Sequence, residues 1–149
     1  MTNITQKKIG SPLLVVAAAL INAKNEILVQ KRPEGKSMPG LWEFPGGKME
    51  QGEGPAEALV RELYEELGIH IQSESLTPLA FVSEAISGRN LILLLFTAQH
   101  WEGEAAPLHA SEIAWVTYDD LMTLKMPPAD SPFISKLRPF LIKAKGHSQ

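Results

Sequence analysis

Apolar and polar positions alternate between two periods along this chain, and the changes of period mark its elements. Leu13 to Ile21 is a continuous apolar run, Asn22-Ala23-Lys24-Asn25 reads as a turn, and Glu26 to Arg32 is a second apolar-centred stretch. Together they predict a hairpin-like pair of strands. Pro33 to Gly40 is a loop, and Leu41-Trp42-Glu43-Phe44-Pro45-Gly46-Gly47-Lys48 leads out of it. Farther on, Ser75 to Ser87 and Asn90 to His100 predict two long strands joined at Gly88-Arg89, with the unbroken Leu91–Phe96 run central in a sheet. A loop from Trp101 to Ala110 precedes a short strand, Glu112 to Thr117, and a helical turn, Asp119 to Leu124. Ser131 and Pro132 suit the start of a last helix reaching about Lys143, with Phe133, Ile134, Leu137, Phe140 and Leu141 as its apolar face.

Between the two groups of strands lies a segment of helical period. Pro55 fits a first helical position, Gly54 the cap before it and Gly68 a left-handed stop, so a helix is predicted over about 55–67. With Arg61 at zero and about 100° per residue, Glu65, Glu62 and Glu66 fall near 40°, 100° and 140°. Ala56, Leu59, Val60, Leu63 and Leu67 fill the neighbouring arc as a core face. Like charges at this spacing each destabilise a helix by a few tenths of a kcal/mol, which is unfavourable unless a cation sits among them. A set of oxygen ligands suits Mg²⁺ or Mn²⁺ rather than zinc. A bare glutamate-rich helix has a plainer reading, a solvated face with Glu57 supporting Arg61.

The order of elements, with few crossover helices, predicts a mixed sheet packed between helices. One domain is expected over residues 12–145, after a loose polar tail at 1–11. The 149 residues carry a net charge of −3 and no cysteine. That excludes disulfides, thiolate nucleophiles and cysteine-bound zinc, and gives no general attraction to a nucleic-acid polymer or an anionic membrane. The chain shows neither a secretory leader pattern nor an apolar run of spanning length, so a cytoplasmic location is expected.

The segment Gly47 to Ile69 has a glycine, five residues, Glu53, seven residues, and then Arg61-Glu62-Leu63-Tyr64-Glu65-Glu66-Leu67-Gly68-Ile69. A chance match to so many fixed positions is on the order of one in ten million at ordinary residue usage. This stretch resembles the Nudix box, complete over its length. The resemblance implies an α/β/α sandwich, a hydrolase of nucleoside diphosphate derivatives, and a divalent metal held by Glu62, Glu65, Glu66 and the Gly46 carbonyl. It also implies that Glu53 braces the loop against the helix, and that Arg61 orients the carboxylates. Lys48 stands where it can meet phosphate, its alternative being a solvated loop lysine.

Outside the box, Leu41–Lys48, Trp101-Glu102-Gly103-Glu104 and Pro127-Pro128-Ala129-Asp130 are similar to the MutT-like branch, which removes oxidised nucleotides such as 8-oxo-dGTP as monophosphate and pyrophosphate. That likeness implies Arg32 and Asp130 at the base, with Phe44 or Trp42 as apolar walls. The plainer readings are a strand-end charge, a turn residue and core aromatics. Asp130 replaces the branch's asparagine. A carboxylate accepts from two base donors but donates to a carbonyl only when protonated, and relatives acting on modified pyrimidine nucleotides also carry an aspartate there. The branch's loop glutamate, an added ligand or general base, is matched by spacing to His109, with Glu112 the nearest carboxylate. The base stays open between them. A nucleotide-binding domain without catalysis is the rival of another class, and it would be free to lose the glutamates that this chain keeps.

Overall fold

The computed structural model describes the backbone of residues 10–147 and the side chains of residues 10–141. The expected tail at 1–11 therefore falls mostly outside the described residues. Gly10 and Ser11 are exposed, and Arg89 Nε donates to the Ser11 carbonyl at 3.0 Å.

Strand β1 (Leu13–Leu20) is apolar at nearly every position because both of its faces are covered. Val16, Ala18 and Leu20 join one core cluster, and Ala17, Ala19 and Ile21 join the other. With both faces buried, the strand sits inside a mixed four-stranded sheet, second from one edge. It runs parallel to β6 (Arg89–Ala98) and antiparallel to β4 (Gly46–Lys48), while β5 (Thr77–Ile86) closes the sheet on the far side of β6. The apolar run at 91–96 is thus interior. Its hairpin to β5 turns at Ser87-Gly88, both at positive φ, one residue earlier than predicted.

The predicted pairing of the first two strands is corrected. Strand β2 (Ile27–Lys31) touches the end of β1 only through an Ile21–Ile27 bridge. It then enters a separate antiparallel sheet ordered β3-β2-β7, with β3 (Trp42–Glu43) and β7 (Glu112–Val116). Both edges of β1 are already taken by β4 and β6, which leaves none for β2.

Helix α1 (Pro55–Leu67) occupies the predicted residues. The Gly54 N–H donates to Glu57 Oε1 at 2.8 Å, and Gly68 takes the left-handed conformation at φ 76° while its N–H donates to the Tyr64 carbonyl. Glu57 is therefore committed to the helix start rather than to Arg61. Ala58, Leu59, Leu63 and Leu67 are buried against β1 and β6, alongside the stacked Trp101 and Trp115 rings. Below the opposite face of the sheet, a short helix α2 (Tyr118–Leu121) and the last helix α3 (Phe133–His147) complete a layered α/β/α arrangement. Helix α3 runs four residues beyond its predicted end and buries Phe133, Leu137 and Leu141.

Candidate active site

Two glycines let three elements close on one another. A Cβ on Gly46 would run into the Val16 carbonyl and Ala17 backbone, and a Cβ on Gly47 would fall onto the Glu62 carboxylate. Only glycines let β4 lie against β1 on one side and under the helix carboxylates on the other.

Arg61 is the hub of the loop that joins β4 to α1. Its Nε and Nη2 grip both Glu53 oxygens, at 2.6 and 3.0 Å. Nη2 also donates to the Lys48 carbonyl, and Nη1 donates to Glu62 and Glu65, each at 3.1 Å. Glu53 accepts from the Glu50 N–H as well, so the loop is tied to itself and to the helix. The Arg61 hydrogen bonds hold the Glu53 carboxyl below its ordinary range, and Glu53 in turn raises the guanidinium. Arg61 thus compensates Glu62 and Glu65 from the helix itself.

Glu62 and Glu66 are the more enclosed carboxylates. Burial raises both, against the lowering effect of Arg61 on Glu62 and of the Gln30 amide on Glu66. Glu66 Oε1 accepts from the Gly46 N–H at 3.2 Å and from Gln30 Nε2 at 3.1 Å. Glu65 is half exposed at the rim with Arg61. Among the described residues no group of three or more His, Asp and Glu side chains is arranged to hold a metal ion. In donor chemistry Glu62 and Glu66 fit a hard divalent cation: both are oxygen ligands, and a positive charge would offset the desolvation that raises them.

A cleft of about 730 Å³ opens beside these carboxylates. Glu62, Glu66, Gly46 and Lys48 line one part of it, and Arg32, Phe44 and Asp130 another. Glu65, Arg61 and Glu53 stand behind that lining. Arg32 is braced by Glu43 at 2.7 Å and by the Ser37 carbonyl at 2.7 Å. Phe44 presents little surface: it is 3% exposed, packs edge-on against Phe133, and serves the cleft chiefly through its N–H, which donates to Asp130 at 3.2 Å. Trp42 lies under the Lys31 ammonium and does not line the cleft, which removes it as a base wall. Asp130 is 8% exposed, and its carboxyl is pushed up to about 7. Burial is the main cause, with Glu43 adding to it, while the Phe44 N–H and Arg32 oppose it.

His109 is exposed, and Glu112 pairs with Lys31 at 3.6 Å. Neither lines the cleft. Sequence reasoning passed over Gln30, Glu43 and Glu84. Gln30 had a signal, being a polar residue inside an apolar strand. Glu84 had none, because its place in the cleft depends on how β5 lies relative to the Arg32 and Asp130 loops, which no local pattern records.

The comparisons with known proteins agree with this architecture. The NUDIX domain model matches residues 12–137. An Escherichia coli protein named 8-oxo-dGTP diphosphatase is 36% identical over 126 residues, covering 84% of this chain and 96% of that one. A second E. coli relative, named CTP pyrophosphohydrolase, is 33% identical over 122 residues, covering 82% and 89%. Among solved structures, a MutT from the work on Aliivibrio salmonicida and Vibrio cholerae superposes with a TM-score of 0.74 at 30% identity, covering 85% of this chain and 97% of that one. Among the described residues no helix is long and apolar enough to cross a membrane. A domain match spanning most of the chain, together with a complete box folded into a glycine-lined strand and a carboxylate-bearing helix, makes this protein a Nudix hydrolase, a member of the NUDIX domain family.

Proposed function

We infer that this hydrolase converts nucleoside triphosphates to the monophosphate and pyrophosphate with Mg²⁺ or Mn²⁺, and that oxidised nucleotides such as 8-oxo-dGTP are among its substrates. The observation carrying this reading is the placement of Glu62 and Glu66 in the same cleft as Arg32 and Asp130. Phosphate chemistry and base reading then share one bound nucleotide. Glu62 and Glu66 would hold the metal, with Glu65 and the Gly46 carbonyl as further ligands. When bound, the metal neutralises phosphate charge and lowers the pKa of a coordinated water. Arg61 keeps the carboxylate-bearing helix and the Lys48–Glu53 loop in register, and Lys48 meets phosphate at the cleft edge. Water adds to one of the two phosphorus atoms joined by the bridging oxygen as its bond to that oxygen breaks, and the oxygen leaves with the other product, giving the monophosphate and pyrophosphate. Arg32 and Asp130 face the base.

A pyrimidine nucleotide is the second reading, favoured by Asp130 itself. As a carboxylate it accepts from an exocyclic amine such as that of cytosine, and the CTP pyrophosphohydrolase relative makes that class concrete for a similar chain. A panel of 8-oxo-dGTP, dGTP, CTP and oxidised cytidine triphosphates, assayed for pyrophosphate with Mg²⁺ and again in excess chelator, decides between them. The leading reading expects 8-oxo-dGTP to be preferred over dGTP and all turnover to stop in chelator. Full turnover without metal refutes the metal, and preference for the cytidine nucleotides refutes the purine.

A further inference from the structure

Gln30 is the middle residue of a polar chain that crosses the site. It sits on β2 opposite Glu43 of β3, and its side chain is 4% exposed. Its Nε2 donates to Glu43 Oε2 at 3.3 Å and to Glu66 Oε1 at 3.1 Å. Both amide hydrogens are thus given to carboxylates. The orientation is fixed by charge, since the amide oxygen turned that way would face two anions. On the far side, Glu43 Oε1 accepts from Arg32 Nη1, and Arg32 is held in turn by the Ser37 carbonyl.

The other end of the amide makes the arrangement informative. No donor among the described residues reaches Gln30 Oε1, although the atom is buried. A side chain serving only to fill the core would be replaced without loss by an apolar residue of the same size. A buried amide with one end unpartnered is explained when the other end has work to do. That work is placing Glu66, whose Oε1 accepts both the Gly46 N–H and this amide. A group that donates to a metal-binding side chain fixes its orientation, and losing such a group weakens metal binding by about 10–100-fold.

We propose that Gln30 is a positioning residue that sets the place of the Glu66 carboxylate for divalent-metal binding and links it through Glu43 to the Arg32 end of the cleft. This rests on the reading of Glu66 as a metal ligand. The test is Mn²⁺ titration of the full, nucleotide-free chain by calorimetry, with the melting temperature of the metal-free protein followed in parallel. Gln30→Met keeps the volume and removes the donor. It should weaken Mn²⁺ binding at least about tenfold, with the metal-free melting temperature close to the parent's, since Glu66 keeps Gly46 and Glu43 keeps Arg32. In a Glu66→Gln background the same substitution should weaken binding less than about twofold further, because its effect runs through Glu66. Gln30→Asn, which withdraws the amide by one methylene, should act in the same direction and supplies the test if the methionine variant does not fold. Parent-like Mn²⁺ affinity in Gln30→Met or Gln30→Asn, or equal weakening with and without the Glu66 carboxylate, overturns the proposal. A parent protein that binds no Mn²⁺ overturns the metal reading beneath it, and the two failures are therefore distinct.

Discussion

Asp130→Asn should stabilise the protein by an amount that grows as pH rises towards neutral. The carboxyl moves from the ordinary aspartate value of 3.8 to about 7 in the fold, chiefly through burial. The folded state therefore binds this proton more tightly than the unfolded chain does. The resulting stability is fully present below about pH 4, declines as pH rises, and is gone above about pH 7. At about 1.4 kcal/mol for each tenfold change in proton affinity, ionised Asp130 costs the native state on the order of 4 kcal/mol. Asp130 lines an open cleft, where solvent relieves part of this, and about 2–4 kcal/mol is the expected effect. Asparagine keeps an oxygen for the Phe44 N–H and has nothing to ionise. Urea unfolding of parent and variant at pH 4, 5, 6, 7 and 8 should show the variant's advantage widening from pH 4 to pH 7 by that amount and levelling off by pH 8. A stability difference that stays constant across the series would show that Asp130 titrates like an exposed aspartate.

The same ionisation should divide substrate preference. Below about pH 7 the neutral acid can donate to a purine carbonyl, and above it the carboxylate can only accept. The ratio of kcat/KM for 8-oxo-dGTP over CTP should fall as pH rises from 6 to 8 in the parent, and stay flat in Asp130→Asn. A ratio that moves equally in both proteins would assign the pH dependence to the nucleotides or the metal instead.

Three further substitutions separate the parts of the site. Glu62→Gln should lower turnover about a hundredfold or more while the melting temperature holds, because it neutralises a group that burial already disfavours as an anion and leaves Arg61 its bonds to Glu53 and Glu65; near-parent turnover would remove Glu62 from the metal site. Gly47→Ala puts a methyl where the Glu62 carboxylate lies, and should weaken Mn²⁺ binding about tenfold with an overpacking loss of about 1–3 kcal/mol; unchanged Mn²⁺ affinity would show that this close approach has no bearing on metal binding. Gly68→Val should cost about 1–2 kcal/mol from its left-handed backbone, at φ 76°, and lower the melting temperature by several degrees without changing Mn²⁺ affinity; an unchanged melting temperature would refute the role of the cap.

The carboxylate half of the site was legible because it is local. Pro55, Gly54 and Gly68 delimit α1 through their own backbone preferences, and the glutamate spacing follows from helical geometry alone. Arg61 itself was visible as the residue just before Glu62 and four before Glu65, but angles about an axis cannot show which oxygens a guanidinium will reach. The half proposed to meet the base is assembled at a distance. Arg32 comes from the end of β2, Asp130 from the turn before α3, and Glu84 from β5, and although the hydrophobic pattern joined β5 to β6 correctly, it gave β2 the wrong partner. The pattern of β1 recorded burial on both faces, but burial does not name the neighbouring strand. This division has a functional consequence. A site whose chemistry is written in one short segment, and whose selectivity is gathered from distant loops, can change substrate by changing the loops while the helix stays as it is. The two E. coli relatives, named for an oxidised purine nucleotide and for CTP, stand at almost the same distance from this chain. Family membership accordingly carries the hydrolysis, and in the proposed reading the choice of base rests on the few residues around Arg32 and Asp130.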